Sequence, residues 1–119
     1  DKSEKYILKD LVNKGDTVIL VMPIDESAPK GRIILPQQEV LRELLEIGCI
    51  TLCVQDGELK ESLSKLKSPP SLVITDSQVF KKVSEIVPDD IRLTSFSILF
   101  ARYSFRSPFF CTFGSRLNN

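Results

Sequence analysis

The residues Thr17-Val18-Ile19-Leu20-Val21-Met22 form an apolar run that no charged residue interrupts. A strand with one face in water alternates apolar and polar residues, whereas a strand covered on both faces is apolar throughout. Three further short runs rich in strand-forming residues follow along the chain, at Cys49–Val54, Leu72–Ile74 and Ile91–Thr94. The first run therefore predicts a strand inside a parallel sheet that helices cover on both faces.

Helical patterns separate these runs. Pro36 is placed to begin a first helix, because a first-turn residue needs no N–H, and Gly48 is placed to end it. A second helix is expected over about 57–66, a third over about 77–87, and a fourth after a cap at Ser95. This alternation predicts a small, doubly wound (Rossmann-like) α/β domain with a four-stranded parallel sheet.

The composition disfavours several classes of function. Lysine plus arginine and aspartate plus glutamate both number 16, so the basic excess typical of a nucleic-acid binder is missing. No apolar run reaches the roughly 18–20 residues that cross a bilayer. Three cysteines without framework spacing predict a cytoplasmic location. The chain has no histidine, which removes the most frequent general base.

Asn13-Lys14-Gly15-Asp16 formally matches the N-K-x-D pattern with which GTPases recognise guanine. That pattern should follow a G-x-x-x-x-G-K-[ST] phosphate loop, and the sequence holds none. The favoured interpretation is a polar turn into the first strand, since glycine and aspartate are common turn residues.

Cys49 and Cys53 lie four residues apart on one predicted strand, so both face the same side with their Cα atoms about 13 Å apart. This separation is too large for a disulfide and, without other ligands, for one shared metal ion. Both are therefore expected to be buried apolar cysteines. Cys111 stands alone near the carboxyl terminus, and no role is assigned to it.

Two acidic residues, Asp25 and Asp76, follow predicted strands at their carboxyl ends, where open α/β sheets bind ligands. They are either part of a small-molecule site or, as we favour, a loop residue and a helix cap. The basic loop Ala28–Arg32 either holds a phosphate or a partner carboxylate, or is a solvated connection. The sequence thus assigns no catalytic, cofactor-binding or metal-binding residue.

Three segments of the chain resemble the HydF family of FeFe-hydrogenase maturation GTPases. They are Gly15–Asp25 continuing through Ala28–Gln37, Pro69–Gln78 and Leu93–Tyr103. The resemblance spans about Leu11 to Tyr103 and is to the middle, dimerisation domain of that family. We therefore expect a dimerisation domain at residues 1–103 and a divergent or truncated tail at 104–119. After Tyr103 the sequence departs from the family pattern, and whether the tail is native or misframed stays open.

The resemblance implies an interaction module that is not itself an enzyme. In that family GTP with magnesium, and a 4Fe–4S cluster, belong to other domains, and the whole protein assists assembly of the hydrogenase active-site cluster. The implied partners are the hydrogenase and the other maturation proteins for the full-length protein, with neither nucleic acid nor membrane.

A second copy of the chain is the partner expected for the domain itself. A four-stranded sheet leaves edges that a second copy can pair with, which predicts a homodimer or larger homo-oligomer. The alternative function is a small-ligand or nucleotide-binding domain that uses the carboxyl edge of the sheet.

Overall fold

The structure, a computed structural model, describes residues 6–24 and 35–105, with side chains up to residue 102. Four strands and four α-helices alternate: β1 Thr17–Val21, α1 Leu35–Ile47, β2 Ile50–Val54, α2 Leu59–Lys65, β3 Leu72–Thr75, α3 Phe80–Ile86, β4 Arg92–Ser95 and α4 Phe96–Phe105. Short 3-10 turns, Asp56–Glu58 and Ser77–Val79, lead into α2 and α3. Each predicted strand is confirmed to within one residue at either end.

The strands form one parallel sheet in the order β2-β1-β3-β4. This confirms the predicted α/β class and four-stranded parallel sheet. The chain leaves β1 for one edge, returns across β1 to β3, and then continues outward, so β2 and β4 are the edge strands. The strand order therefore changes direction between β1 and β3.

Side chains of β1 alternate between two cores, one on each face of the sheet. Val18 and Leu20 enter the first core, which α1 and α4 cover, whereas Ile19 and Val21 enter the second, which α2 and α3 cover. All four are fully buried. The double coverage predicted from the apolar run is confirmed.

Residues Ile7–Val12, the amino-terminal turn, form a single helical turn ahead of β1. The N–H groups of Leu11 and Val12 donate to the carbonyl of Leu8 at 2.8 and 3.3 Å. Ile7, Leu8 and Val12 are buried in the first core. This turn therefore covers part of the same face as α1 and α4.

Two predicted helix ends have the expected geometry. Gly48 ends α1 at a φ of 101° and donates its N–H to the carbonyl of Leu44 at 3.1 Å. Ser95 begins α4, and its hydroxyl accepts the N–H of Ile98 at 3.0 Å. Helix α4 runs to Phe105, across the boundary placed at residue 103, and residues 106–119 of the predicted tail lie outside the described residues.

Candidate functional site

The carboxyl edge of the sheet is one of the two candidate sites. Asp76 follows β3, and its carboxylate accepts the N–H of Gln78 at 2.8 Å, so it caps the turn into α3. The hydroxyls of Ser77 and Ser97 lie 3.4 Å apart at this edge. The structure thus supports the cap interpretation for Asp76, whereas Asp25 and Ala28–Arg32 lie outside the described residues.

The Asn13–Asp16 segment forms a tight turn. The Asp16 carboxylate accepts the N–H of Asn13 at 2.8 Å, and the Asp16 N–H donates to the Asn13 carbonyl at 3.0 Å. The turn precedes β1 and so lies at the amino edge of the sheet, whereas ligands of open α/β sheets bind at the carboxyl edge. Both observations support a turn rather than a guanine-binding motif.

The two described cysteines differ in their surroundings. Cys49 is buried, and its thiol donates to the Asn13 carbonyl at 3.4 Å, whereas Cys53 is exposed. The prediction of burial is therefore right for Cys49 and wrong for Cys53, because β2 is an edge strand whose outer side no described strand covers. Burial raises the pKa of Cys49, with a further rise from the negative charge of Asp16. Although Cys53 is exposed, partial desolvation by neighbouring atoms raises the pKa of its thiol as well.

These cysteines do not fit an iron–sulfur cluster. A 4Fe–4S cluster needs thiolates, usually four, that converge within a few ångströms. Residues 6–24 and 35–105 contain no group of three or more Cys, His, Asp or Glu that could hold a metal ion. Cys111 lies outside these ranges.

The free side of β2 is the other candidate site. On the side of β1, the Ile50 N–H donates to Asp16 at 2.8 Å and the Val54 carbonyl accepts from Met22 at 2.9 Å. Main-chain groups of a parallel strand turn to alternate sides with each residue. The N–H and C=O groups of Thr51 and Cys53 therefore face away from β1, where no described strand pairs with them.

Exposed apolar side chains occur on both faces of this part of the sheet, one on β2 itself and one on the helix α1 that precedes it. Ile50, which shares a face with Leu52 and Val54, is 58% exposed. On the other face, Leu45 of α1 is 62% exposed and lies one turn from the half-buried Leu41. An edge of this kind is a template for pairing with another chain.

Helix α1 presents Leu45 to the β2 side because its other flank is occupied. Glu43 on that flank contacts the amino-terminal turn, and Arg92 of β4 in turn contacts the Leu11 carbonyl. Leu45 lies about 160° around the helix from Glu43 at 100° per residue, measured the shorter way. The Glu43 flank faces β4, so the Leu45 flank faces the free edge of β2.

The opposite edge, β4, is less apolar on its surface. Thr94 and Ser95 are buried, Leu93 is half-buried, and the exposed residue is Arg92. Of the large apolar side chains described as strongly exposed, Ile24, Leu35, Leu45 and Ile50, none belongs to β4 or α4. Between the two edges, β2 is the better candidate for a protein interface.

Glu43 is a buried polar residue that sequence reasoning missed. Its carboxylate accepts N–H groups of Ile7 and Leu8, and the residue is 6% exposed. In the sequence it is one of several acidic residues on an amphipathic helix. The available signal was its position, three residues after Val40 and four before Ile47, which puts it on the apolar stripe.

Residues 7–104 match a family model described as the Hydrogen maturase F dimerization domain. The match begins at the first buried residue of the amino-terminal turn and ends within α4. It confirms the resemblance drawn from the sequence, and it assigns a dimerisation role rather than a catalytic one. A search of curated proteins found no match. No described helix is long and apolar enough to span a membrane.

Proposed function

The chain belongs to the Hydrogen maturase F dimerization domain family, and from this premise we propose that its β2 edge joins two copies of a hydrogenase-maturation GTPase. The observation that carries the proposal is the main chain of Thr51 and Cys53, which no described strand pairs, next to the exposed side chain of Ile50. The exposed Leu45, on the flank of α1 away from Glu43, supports it. A second copy satisfies the same groups on both protomers at once, because a two-fold interface is self-complementary.

The main-chain groups of β2 alternate between the β1 side and the free side, and this alternation selects the register in which two copies of β2 can pair. Antiparallel strands alternate hydrogen-bonded and non-hydrogen-bonded residue pairs. A two-fold axis at Leu52 sets Thr51 of one protomer opposite Cys53 of the other, and both residues direct their N–H and C=O groups outward. The same axis places Ile50 opposite Val54 on one face of the joined sheet. Main-chain pairing then fixes the register, and apolar burial supplies affinity, at about 1.5–3 kcal/mol for each side chain that becomes fully buried.

Substitution of the outward-facing Cys53 tests the edge without breaking the ladder to β1. We expect the unaltered domain to be a dimer at micromolar concentration by light scattering. Cys53→Pro removes an N–H that β1 does not use, and proline is tolerated on edge strands, so this variant is expected to be a folded monomer. Cys53→Ala keeps the N–H and is expected to stay a dimer.

Three outcomes count against this edge. A monomeric unaltered domain at high micromolar concentration would remove the dimerisation proposal altogether. A Cys53→Pro variant that keeps its circular dichroism spectrum and stays a dimer would move the interface elsewhere on the domain. A Cys53→Ala variant that becomes monomeric would assign the effect to the thiol rather than to the main chain.

For the full-length protein, we propose assistance in assembling the FeFe-hydrogenase active-site cluster. The module would hold two copies together while GTP with magnesium, and a 4Fe–4S cluster, act in other domains. The hydrogenase and the other maturation proteins are the partners proposed for that larger assembly. A cytoplasmic location is part of the proposal and is supported by the free thiols of Cys49 and Cys53.

The proposal assigns neither GTP nor a cluster to this domain. Calorimetry should detect no saturable GTP binding near micromolar affinity, since the chain has no glycine-rich phosphate loop. Reconstitution with iron and sulfide should leave no stoichiometric cluster. A brown product whose absorption is lost in Cys49→Ser would contradict the assignment.

A further inference from the structure

The first N–H groups of the amino-terminal turn donate their hydrogen bonds to a side chain of a distant helix, Glu43 of α1. The leading N–H groups of a helical turn have no partner within the turn itself. Here the Glu43 carboxylate accepts the Ile7 N–H at 2.8 Å through Oε1, and the Leu8 N–H at 2.6 Å through Oε2. Glu43 therefore acts as an N-cap for this turn, although it lies 35 residues further along the chain than Leu8.

Two arginines donate hydrogen bonds to main-chain carbonyl groups of the same turn. Arg102 of α4 donates to the Ile7 carbonyl at a long 3.5 Å and forms an ion pair with Asp10. Arg92 of β4 donates to the Leu11 carbonyl. The Glu43 carboxylate at the amino end and the Arg92 guanidinium near the carboxyl end both complement the dipole of a helical turn.

Burial makes these contacts interdependent. Glu43 is buried, and the Arg102 side chain is 16% exposed. A buried carboxylate is tolerated only with hydrogen-bond partners, and in this turn those partners are main-chain N–H groups. The amino-terminal turn also needs Glu43. Ile7 and Leu8 are buried, so their main-chain N–H groups cannot donate to water instead.

We propose that Glu43 and Arg102 form a clamp that ties the chain arriving at Tyr6 to the last turn of α4. The amino-terminal turn and the last turn of α4 are thereby held side by side. The clamp acts within one protomer and does not require that two copies pair.

Hydrogen exchange followed by mass spectrometry on the whole chain tests the clamp. Glu43→Gln keeps the side-chain shape but replaces one acceptor oxygen with an NH2 donor that faces main-chain N–H groups. We expect exchange over residues 6–12 to rise by about tenfold or more, as loss of a charged hydrogen bond predicts. Exchange in the last turn of α4 should rise with it, while β1 and β3 keep their protection.

The matched control is Glu46→Gln, the same chemical change on the same helix at an exposed residue that pairs with Arg42. This variant is expected to leave hydrogen exchange unchanged over residues 6–12 and in the last turn of α4. Arg102→Lys, which keeps the charge but loses the planar fork, is expected to loosen both regions to a smaller extent.

Exchange that rises over residues 6–12 while α4 keeps its protection would overturn the proposal, because the two ends would then be independent. An equal effect of Glu46→Gln would also overturn it, since the response would follow helix charge. If Glu43→Gln does not fold, Arg102→Lys decides the matter. Joint loosening of the turn and of α4 in that variant supports the clamp, and unchanged exchange in both refutes it.

Discussion

Gly48 occupies a backbone conformation and a space that a larger residue does not share. Its φ is 101°, and a Cβ atom at this position would lie 2.9 Å from Cγ of Lys14. We expect Gly48→Ala to lower the free energy of unfolding by about 1–2 kcal/mol, the cost of a left-handed backbone for an L-residue. Urea unfolding measures this difference.

Gly57→Ala is the matched control, because a Cβ there meets no atom within 4 Å and its φ is not left-handed. Its effect should stay within about 0.5 kcal/mol. The double variant Gly48→Ala with Lys14→Ala separates steric conflict from backbone strain. Removing the Lys14 side chain should restore the stability lost to the steric conflict but not the stability lost to the left-handed backbone. Equal effects of the two glycine substitutions would show that Gly48 carries no strain.

Asp56 gives the domain one predictable pH dependence. The side-chain hydrogen bond from Lys82, at 2.8 Å, holds the pKa of Asp56 below its ordinary value of 3.8. A carboxyl whose pKa is lower in the folded state stabilises the fold above the unfolded pKa, and this contribution is lost as the pH falls through the folded pKa. Lys82 is largely exposed, so the pair contributes about 0.2–1 kcal/mol near neutral pH.

Lys82→Met should therefore destabilise the domain at neutral pH and have almost no effect once Asp56 is protonated. Urea unfolding of both proteins at neutral pH, and at a pH below the lowered pKa that Asp56 has in the folded state, checks this. Lys81→Met, an exposed neighbour on the same helix, is the control and should show no such pH dependence. A constant difference between Lys82→Met and the unaltered domain at both pH values would show that the ion pair is not the cause.

Single residues were the hardest to place from sequence. Strand periodicity put Cys49 and Cys53 on one side, and the alternation places both on the α1 face, but it does not reveal that β2 lies at an edge. The burial of Glu43 could not be predicted either. Its partners are main-chain N–H groups, which every sequence contains and which therefore leave no mark in the residue pattern. Both misses concern long-range neighbours, about which a local pattern carries no information.

Elements were predicted well because local chemistry marks their ends. Gly48 and Ser95 were identified as a stop and a cap, and both have that role. The expected second and third helices are each a 3-10 turn followed by a short α-helix, Leu59–Lys65 and Phe80–Ile86. Apolar spacing locates such helices, but three-residue turns leave too few positions to distinguish the tighter period.

Removing the cap of α4 tests its contribution. Ser95→Ala leaves the Ile98 N–H without its acceptor, and Ser95 is buried, so we expect a loss of about 0.5–2 kcal/mol in the free energy of unfolding. Ser97→Ala is the control, because Ser97 is exposed and its hydroxyl has a long 3.4 Å contact with Ser77. Denaturant unfolding of both variants measures the difference, and equal effects would mean that the cap contributes nothing.

At the scale of the whole molecule, the sequence predicted the class of fold but not the order of its strands. Parallel strands separated by helices follow from patterning, whereas the order β2-β1-β3-β4 depends on which edges the crossovers reach. That order decides the functional candidate, because it makes β2 an edge strand. The side chains that flank this edge, Leu45 and Ile50, are far from unusual in the sequence and become informative through their exposure.

Residues 106–119 follow α4 and lie outside the described residues. Helices α1 and α4 with the amino-terminal turn cover one face of the sheet, and α2 and α3 cover the other. Deleting 106–119 is therefore expected to change the melting temperature by no more than about 5 °C, on the scale of a 1 kcal/mol effect in a domain of this size, and to leave the dimer intact.

A second deletion that starts at Ala101 also removes Arg102 and should lower the melting temperature further, because the contacts to Ile7 and Asp10 are lost. Circular dichroism melts and light scattering of both truncated chains check this. Loss of cooperative unfolding in the shorter deletion would make the tail part of the domain, and the idea of a misframed end would then be abandoned.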